Sequence, residues 1–126
     1  MNMIVFDTSF LMMLVEKRSY IVEEIIKLLD PVKFEVPTCV IQELQMIMSS
    51  KAVKKSKNAM LALRIAESKM IKVDASRKGS VDDKIISCAR GRNDVFVATM
   101  DYALRKRLMM ENLKCVTLSN DKVVLC

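Results

Sequence analysis

Short apolar runs alternate with stretches of helical periodicity along nearly the whole chain, and few folds accommodate such a pattern. "MIVF" at 3–6 reads as a buried strand, and apolar residues at helical spacing from Ser9 to Leu29 read as two helices broken near Lys17 to Ser19. "VKFEVP" is a second strand. Pro37 and Thr38 open the next helix, whose Val40, Ile41, Leu44, Ile47 and Met48 share one face. After a polar break, "SSKAVKKSK", another helix runs through Met60, Leu61 and Ile65. "MIKV", the loop "ASRKGS", a helix beginning "SVDDKIISCA", the strand "DVFVAT" and the helix "DYALRKRLMM" follow, and Ser80 with Asp83 resembles a capping box. "KCVTL" and "KVVLC" close the chain as short strands joined through Ser119, Asn120 and Asp121. Alternation of this kind predicts an α/β fold with a mostly parallel sheet and helices on both faces.

Size and composition fit one compact domain over residues 1–126. Hydrophobic residues make up 52%, with only two glycines and two prolines, so the chain is neither low-complexity nor disordered in bulk. The first apolar stretch is too short for a signal-peptide core and is interrupted by Asp7, and no run approaches the ~20 residues that cross a bilayer. A cytoplasmic protein without membrane contact is expected. The net charge of +6 favours polyanions, RNA or DNA foremost. Cys39, Cys88, Cys115 and Cys126 lie far apart among apolar neighbours, and the chain has no histidine, which argues against structural zinc and for four reduced, buried thiols. Methionines such as Met46, Met60 and Met109 are expected to fill the core.

The acidic residues carry the chemical signal. Asp7 and Asp101 each follow a predicted strand, and in an open parallel sheet functional groups gather beyond the strands' carboxyl ends. At about 100° per residue, Glu43 borders the apolar face of its helix. Asp82 lies almost directly over the Ile85, Ile86 and Ala89 face, whereas Asp83 turns away to cap the helix or meet solvent. Four carboxylates converging on one rim repel one another, and a divalent cation offsets that repulsion. Oxygen-only ligands suit Mg²⁺ or Mn²⁺. A metal-activated water needs no histidine base, which fits hydrolysis of a phosphodiester.

Plainer roles exist for each residue taken alone. Asp7 and Asp101 read equally well as helix caps, and Glu43 as a solvated flank. Lys51, Lys54, Lys55 and Lys57 form a solvated helix start or loop, or else contact RNA phosphates. Arg105, one helical turn beyond Asp101, is a further phosphate contact. Thr8, Ser9 and Thr99 are candidates to hold the aspartates or their waters, or simply to bond local backbone.

Taken in order, "IVFDTSFL", "VPTCVIQEL", "VDDKIISCA" and "VFVATMDYALRKRL" resemble the four acidic motifs of the PIN domain family of metal-dependent ribonucleases. The resemblance implies a three-layer α/β/α sandwich around a mainly parallel sheet of about five strands, and RNA cleavage with Mg²⁺ or Mn²⁺. It places the family's acids on Asp7, Glu43, Asp82 and Asp101, with Asp83 as the uncertain neighbour. Asp83 directly after Asp82 is more similar to the rRNA-processing branch than to VapC-type toxins. Partners are accordingly rRNA or its precursor, with an antitoxin, a ribosome-assembly protein and a homodimer left open. An RNA-binding assembly module without turnover is the competing class. A phosphoacceptor receiver domain ranks far below, since Asp74 and Lys122 match its requirements poorly.

Overall fold

In the computed structural model, residues 1–17, 20–75 and 78–126 are described. Ser19, at the predicted helix break, and Ser76 and Arg77 of the "ASRKGS" loop lie outside them. The order is β1 (Asn2–Phe6), α1 (Thr8–Glu16), α2 (Tyr20–Leu29), β2 (Val32–Pro37), α3 (Thr38–Met48), α4 (Val53–Lys69), β3 (Ile71–Val73), α5 (Val81–Ala89), β4 (Val95–Ala98), α6 (Tyr102–Met110), β5 (Lys114–Ser119) and β6 (Lys122–Leu125). The sheet has six strands in the order β3-β2-β1-β4-β5-β6, parallel except for β6. The sixth strand is the "KVVLC" segment read from the sequence, added at the edge by the closing hairpin beyond the about five strands that the family resemblance implies.

From β1 the chain steps outward through β2 to β3, then returns to the other side of β1 for β4 and β5. Right-handed crossovers therefore place the helices of the two halves on opposite faces. On one face α1, α3 and α4 pack together, while α5 packs on β4 and α6 on β5. The β1–β4 border is the point where the strand order reverses, and a crevice opens at the carboxyl ends of such strands. Both strands are held rigidly there. Ile4, Val5, Phe6, Val97 and Ala98 are fully buried, between Phe10 and Leu11 of α1 and Ile85 and Ile86 of α5. Each of the larger side chains contributes roughly 1.5–3 kcal/mol by burial, and the Ala98 methyl less.

Several local expectations need correction. Met46 and Met109 are 75% and 58% exposed, and Met60 is half-buried. Met46 lies two residues, about 200° of helix, from the buried Leu44 and so faces solvent. Helix α4 already begins at Val53, so Lys54, Lys55 and Lys57 stand exposed on its first turns rather than in a loop. Ser50 Oγ accepts the Ala52 N–H at 3.1 Å, and Ser56 Oγ donates to the Met48 carbonyl at 2.5 Å, so the break between α3 and α4 is tight.

Four reduced thiols were expected, but Cys115 and Cys126 form a disulfide with Cα atoms 5.0 Å apart, while Cys39 and Cys88 are free and buried. The hairpin explains the pairing. Asn120 and Asp121 take positive φ of 50° and 61°, the two-residue turn that matches strand twist. That turn aligns Ser119 with Lys122 and sets Cys115 opposite Cys126, each N–H bonding the other's carbonyl.

Candidate active site at the sheet switch point

Asp7 leaves β1 at the carboxyl end and is only 4% exposed. Its Oδ1 accepts the Phe10 N–H at 2.8 Å, capping α1, while Ser9 Oγ donates at 2.8 Å and Thr99 Oγ1 donates to Oδ2. The same two hydroxyls reach across to β4's end: Ser9 Oγ accepts the Met100 N–H and Thr99 Oγ1 accepts the Asp101 N–H, both at 3.0 Å. Two short polar side chains thus tie the ends of β1 and β4 and aim Asp7 into the crevice. Thr8 Oγ1 is buried with no hydrogen bond among the described residues, so it does not share this task.

Asp101 follows β4 and caps α6, its Oδ1 accepting the Leu104 N–H at 3.1 Å. The helix-cap reading is therefore true of both aspartates, and it does not compete with a role at the rim. A cap uses one lone pair of one oxygen and fixes the rotamer of the rest of the group.

Asp82 and Asp83 divide as the helical phase predicts. Asp83 closes a capping box with Ser80, accepting its N–H at 2.9 Å and returning its own at 3.1 Å. Its other oxygen meets an Arg107 guanidinium nitrogen at 2.7 Å. The Ser80 N–H and the Arg107 guanidinium hold its pKa near 2. Gly79, at φ +93°, lets the loop pass this cap, because a Cβ there would collide with the Asp83 carboxylate. Asp82, half-buried on the same turn, is pushed the opposite way: burial raises its pKa first, then the charge of Asp101, with Glu43 and Asp83 adding to it and Arg107 opposing.

Those mutual influences locate the group. Burial raises the Asp7 pKa to about 6 despite hydrogen bonds from Thr99, Phe10 and Ser9, and the Asp101 charge adds to the rise. Asp101 is thus felt by both Asp7 and Asp82, and Asp82 also feels Glu43, which stands half-buried on α3 where that helix packs on α5. The influences run as a chain along the rim, Asp7 with Asp101, Asp101 with Asp82, and Asp82 with Glu43. Among the described residues no three acidic groups stand close enough to enclose an ion directly. The donor set is carboxylate oxygen without histidine, a chemistry that suits a hard divalent cation retaining part of its water shell.

The basic residues are arranged differently from the sequence expectation. Arg105 lies over the Tyr102 ring, its guanidinium carbon 5.6 Å from the centroid. Arg107, which sequence reasoning passed over, is the arginine that enters the acidic group through Asp83. Its partner is on another helix, so only the tertiary packing reveals it. Lys51, Lys54, Lys55 and Lys57 are exposed and make no ion pair among the described residues.

A family profile described as a PIN like domain matches residues 4–121, a span containing all four acids. The chain belongs to the PIN-like domain family. Among solved structures, this PIN-like chain is similar to the PIN domain endonuclease Utp24, with 23% identity, a TM-score of 0.77, and coverage of 98% of this chain and 90% of that one. It is also similar to VapBC2 from Rickettsia felis, solved bound to a DNA fragment from their promoter, with 18% identity, a TM-score of 0.66, and coverage of 91% and 98%. Likenesses at these identities establish the PIN fold. No curated protein matches the sequence. No helix among the described residues is long and apolar enough to cross a membrane.

Proposed function

We propose that this PIN-like chain acts, over residues 1–126, as one metal-dependent endoribonuclease domain that hydrolyses RNA phosphodiester bonds. The observation that supports the reading is the placement of Asp7 and Asp101 at the carboxyl ends of the adjacent strands β1 and β4, with Asp82 in the first turn of α5 and Glu43 on α3, which contacts α5. Burial and a neighbouring carboxylate raise the pKa of both Asp7 and Asp82. Asp7, Asp82 and Asp101 hold Mg²⁺ or Mn²⁺ directly or through waters, and Glu43 orients a water at the group's edge. When bound, the cation supplies an activated water and neutralises charge on the phosphate. Ser9 and Thr99 keep Asp7 oriented, and Asp83 with Arg107 fixes the α5 turn that presents Asp82. Lys51, Lys54, Lys55, Lys57 and Arg105 contact flanking phosphates, in keeping with the net charge of +6.

Asp83 directly after Asp82, the feature that resembles the rRNA-processing branch, favours rRNA or precursor rRNA as substrate, with a ribosome-assembly protein as partner; a cytoplasmic location is part of the same proposal. The fold likeness to VapBC2 keeps a toxin with its antitoxin as the second reading. The test incubates labelled RNA with the protein in Mn²⁺, in Mg²⁺ and in EDTA, alongside Asp7→Asn and Asp101→Asn. Cleavage that needs the metal and falls at least 100-fold in either variant is expected. Equal cleavage by all three proteins, or cleavage in EDTA, contradicts the assignment. Binding without cleavage by any of them points to the non-catalytic assembly module.

A further inference from the structure

We propose that Tyr102 and Arg105 form a stacking platform that receives one unpaired RNA base beside the acidic rim; that location rests on the nuclease reading above. Tyr102 is the first residue of α6, directly after Asp101, whose carboxylate caps the helix, so the ring is rooted one residue from the acidic group. The ring is nevertheless 70% exposed. The other aromatic side chains are less open: Phe6 and Phe10 are fully buried, Phe96 is 9% exposed, Phe34 is half-buried with its ring edge-on to Phe6, and Tyr20, 39% exposed on α2, has its hydroxyl bonded to the Asp121 carbonyl at 3.4 Å near the closing hairpin. Large exposed aromatic surface is thus found beside the rim.

Arg105 completes the platform. With its guanidinium carbon 5.6 Å from the Tyr102 centroid, it covers part of the ring and leaves the rest to solvent. Arg90, Arg92 and Arg107 are each engaged by a carboxylate, on Glu111, Glu35 and Asp83. Arg105 has none of these partners, and its Nε is buried without a hydrogen bond among the described residues. The cation is therefore kept for the ring and for whatever approaches it. A flat aromatic face backed by a guanidinium is the arrangement on which bases of single strands stack, whereas bases in a duplex have both faces covered. A base seated on Tyr102 lies one residue along the chain from Asp101, with the Arg105 guanidinium at the ring to meet a phosphate. The site then prefers an unpaired nucleotide next to the scissile bond.

The test uses the full chain in EDTA, so that turnover plays no part, and a single-stranded oligoribonucleotide carrying 2-aminopurine, whose fluorescence is quenched on stacking. The parent protein quenches the probe, Tyr102→Phe retains quenching and affinity, and Tyr102→Leu loses the quench and binds about tenfold more weakly. Arg105→Gln weakens both. Unchanged quenching and affinity in Tyr102→Leu overturn the proposal, as does equal competition by duplex RNA. If parent and Tyr102→Leu both fail to bind RNA, the pair serves a protein partner and the proposal is overturned as well. Absence of cleavage in Mn²⁺ defeats the nuclease reading alone, since the stacking result is read without turnover.

Discussion

At Asp7 the fold places a carboxylate with only 4% of its surface exposed and surrounds it with three donors that only partly offset the burial. The folded group titrates near 6 against 3.8 in its ordinary state, so the folded protein binds the extra proton between those values. The stability tied to protonated Asp7 is full below the unfolded value and is lost as pH rises through about 6. In EDTA, denaturant unfolding is expected to show stability falling by roughly 2–3 kcal/mol between pH 4 and 7. Asp7→Asn should flatten that decline. A variant that keeps the full decline would place the titrating group elsewhere. Much at this scale was legible beforehand. The helical phase separated Asp82 from Asp83, because an acid over an apolar stripe and an acid three residues after a serine obey different local rules. Arg107 was not legible, since its meeting with Asp83 depends on how α6 sits against α5.

Elements were the most readable level, because the four inner strands are apolar enough to be buried and each helix keeps buried residues, whereas the edge strands β3 and β6 have none. What periodicity could not convey was pairing across distance. Glu35 on β2 is 5% exposed, and its two oxygens meet the two terminal nitrogens of Arg92 at 3.2 Å, linking β2 to the segment before β4. A charge in the middle of "VKFEVP" reads in sequence as an outward strand position. Removing the guanidinium leaves a buried carboxylate without a counter-charge. Arg92→Ala is therefore expected to cost about 2–4 kcal/mol, the lower part of the range reflecting the partly exposed arginine. A change below about 0.5 kcal/mol in denaturant unfolding would show the pair to be incidental. The disulfide could have been found in the sequence. A two-residue turn at Asn120 and Asp121 counts outward to Cys115 opposite Cys126; a link through Ser119, Asn120 and Asp121 shifts that register by one, and together with treating all four cysteines alike it hid the pair. Alkylation of the unfolded, unreduced protein should add two labels by mass, and four after reduction. Four labels without reduction would contradict the pairing.

For the whole molecule, strand order decides the function more than any single motif. Asp7 and Asp101 are 94 residues apart in numbering, yet become neighbours because β4 returns to lie beside β1. The sequence supports adjacency only as an inference from alternation and from family resemblance, since strand order is a property of the assembled sheet. The same return brings α5, and with it Asp82, toward α3 and Glu43. The nuclease reading requires these acids to share one divalent cation. Its most direct measurement is a crystal of this protein soaked in Mn²⁺, with anomalous differences collected at the manganese edge. A peak among Asp7, Asp82 and Asp101 that vanishes in Asp101→Asn is the predicted result. Crystals that bind manganese elsewhere, or bind it equally well in the variant, would contradict the account.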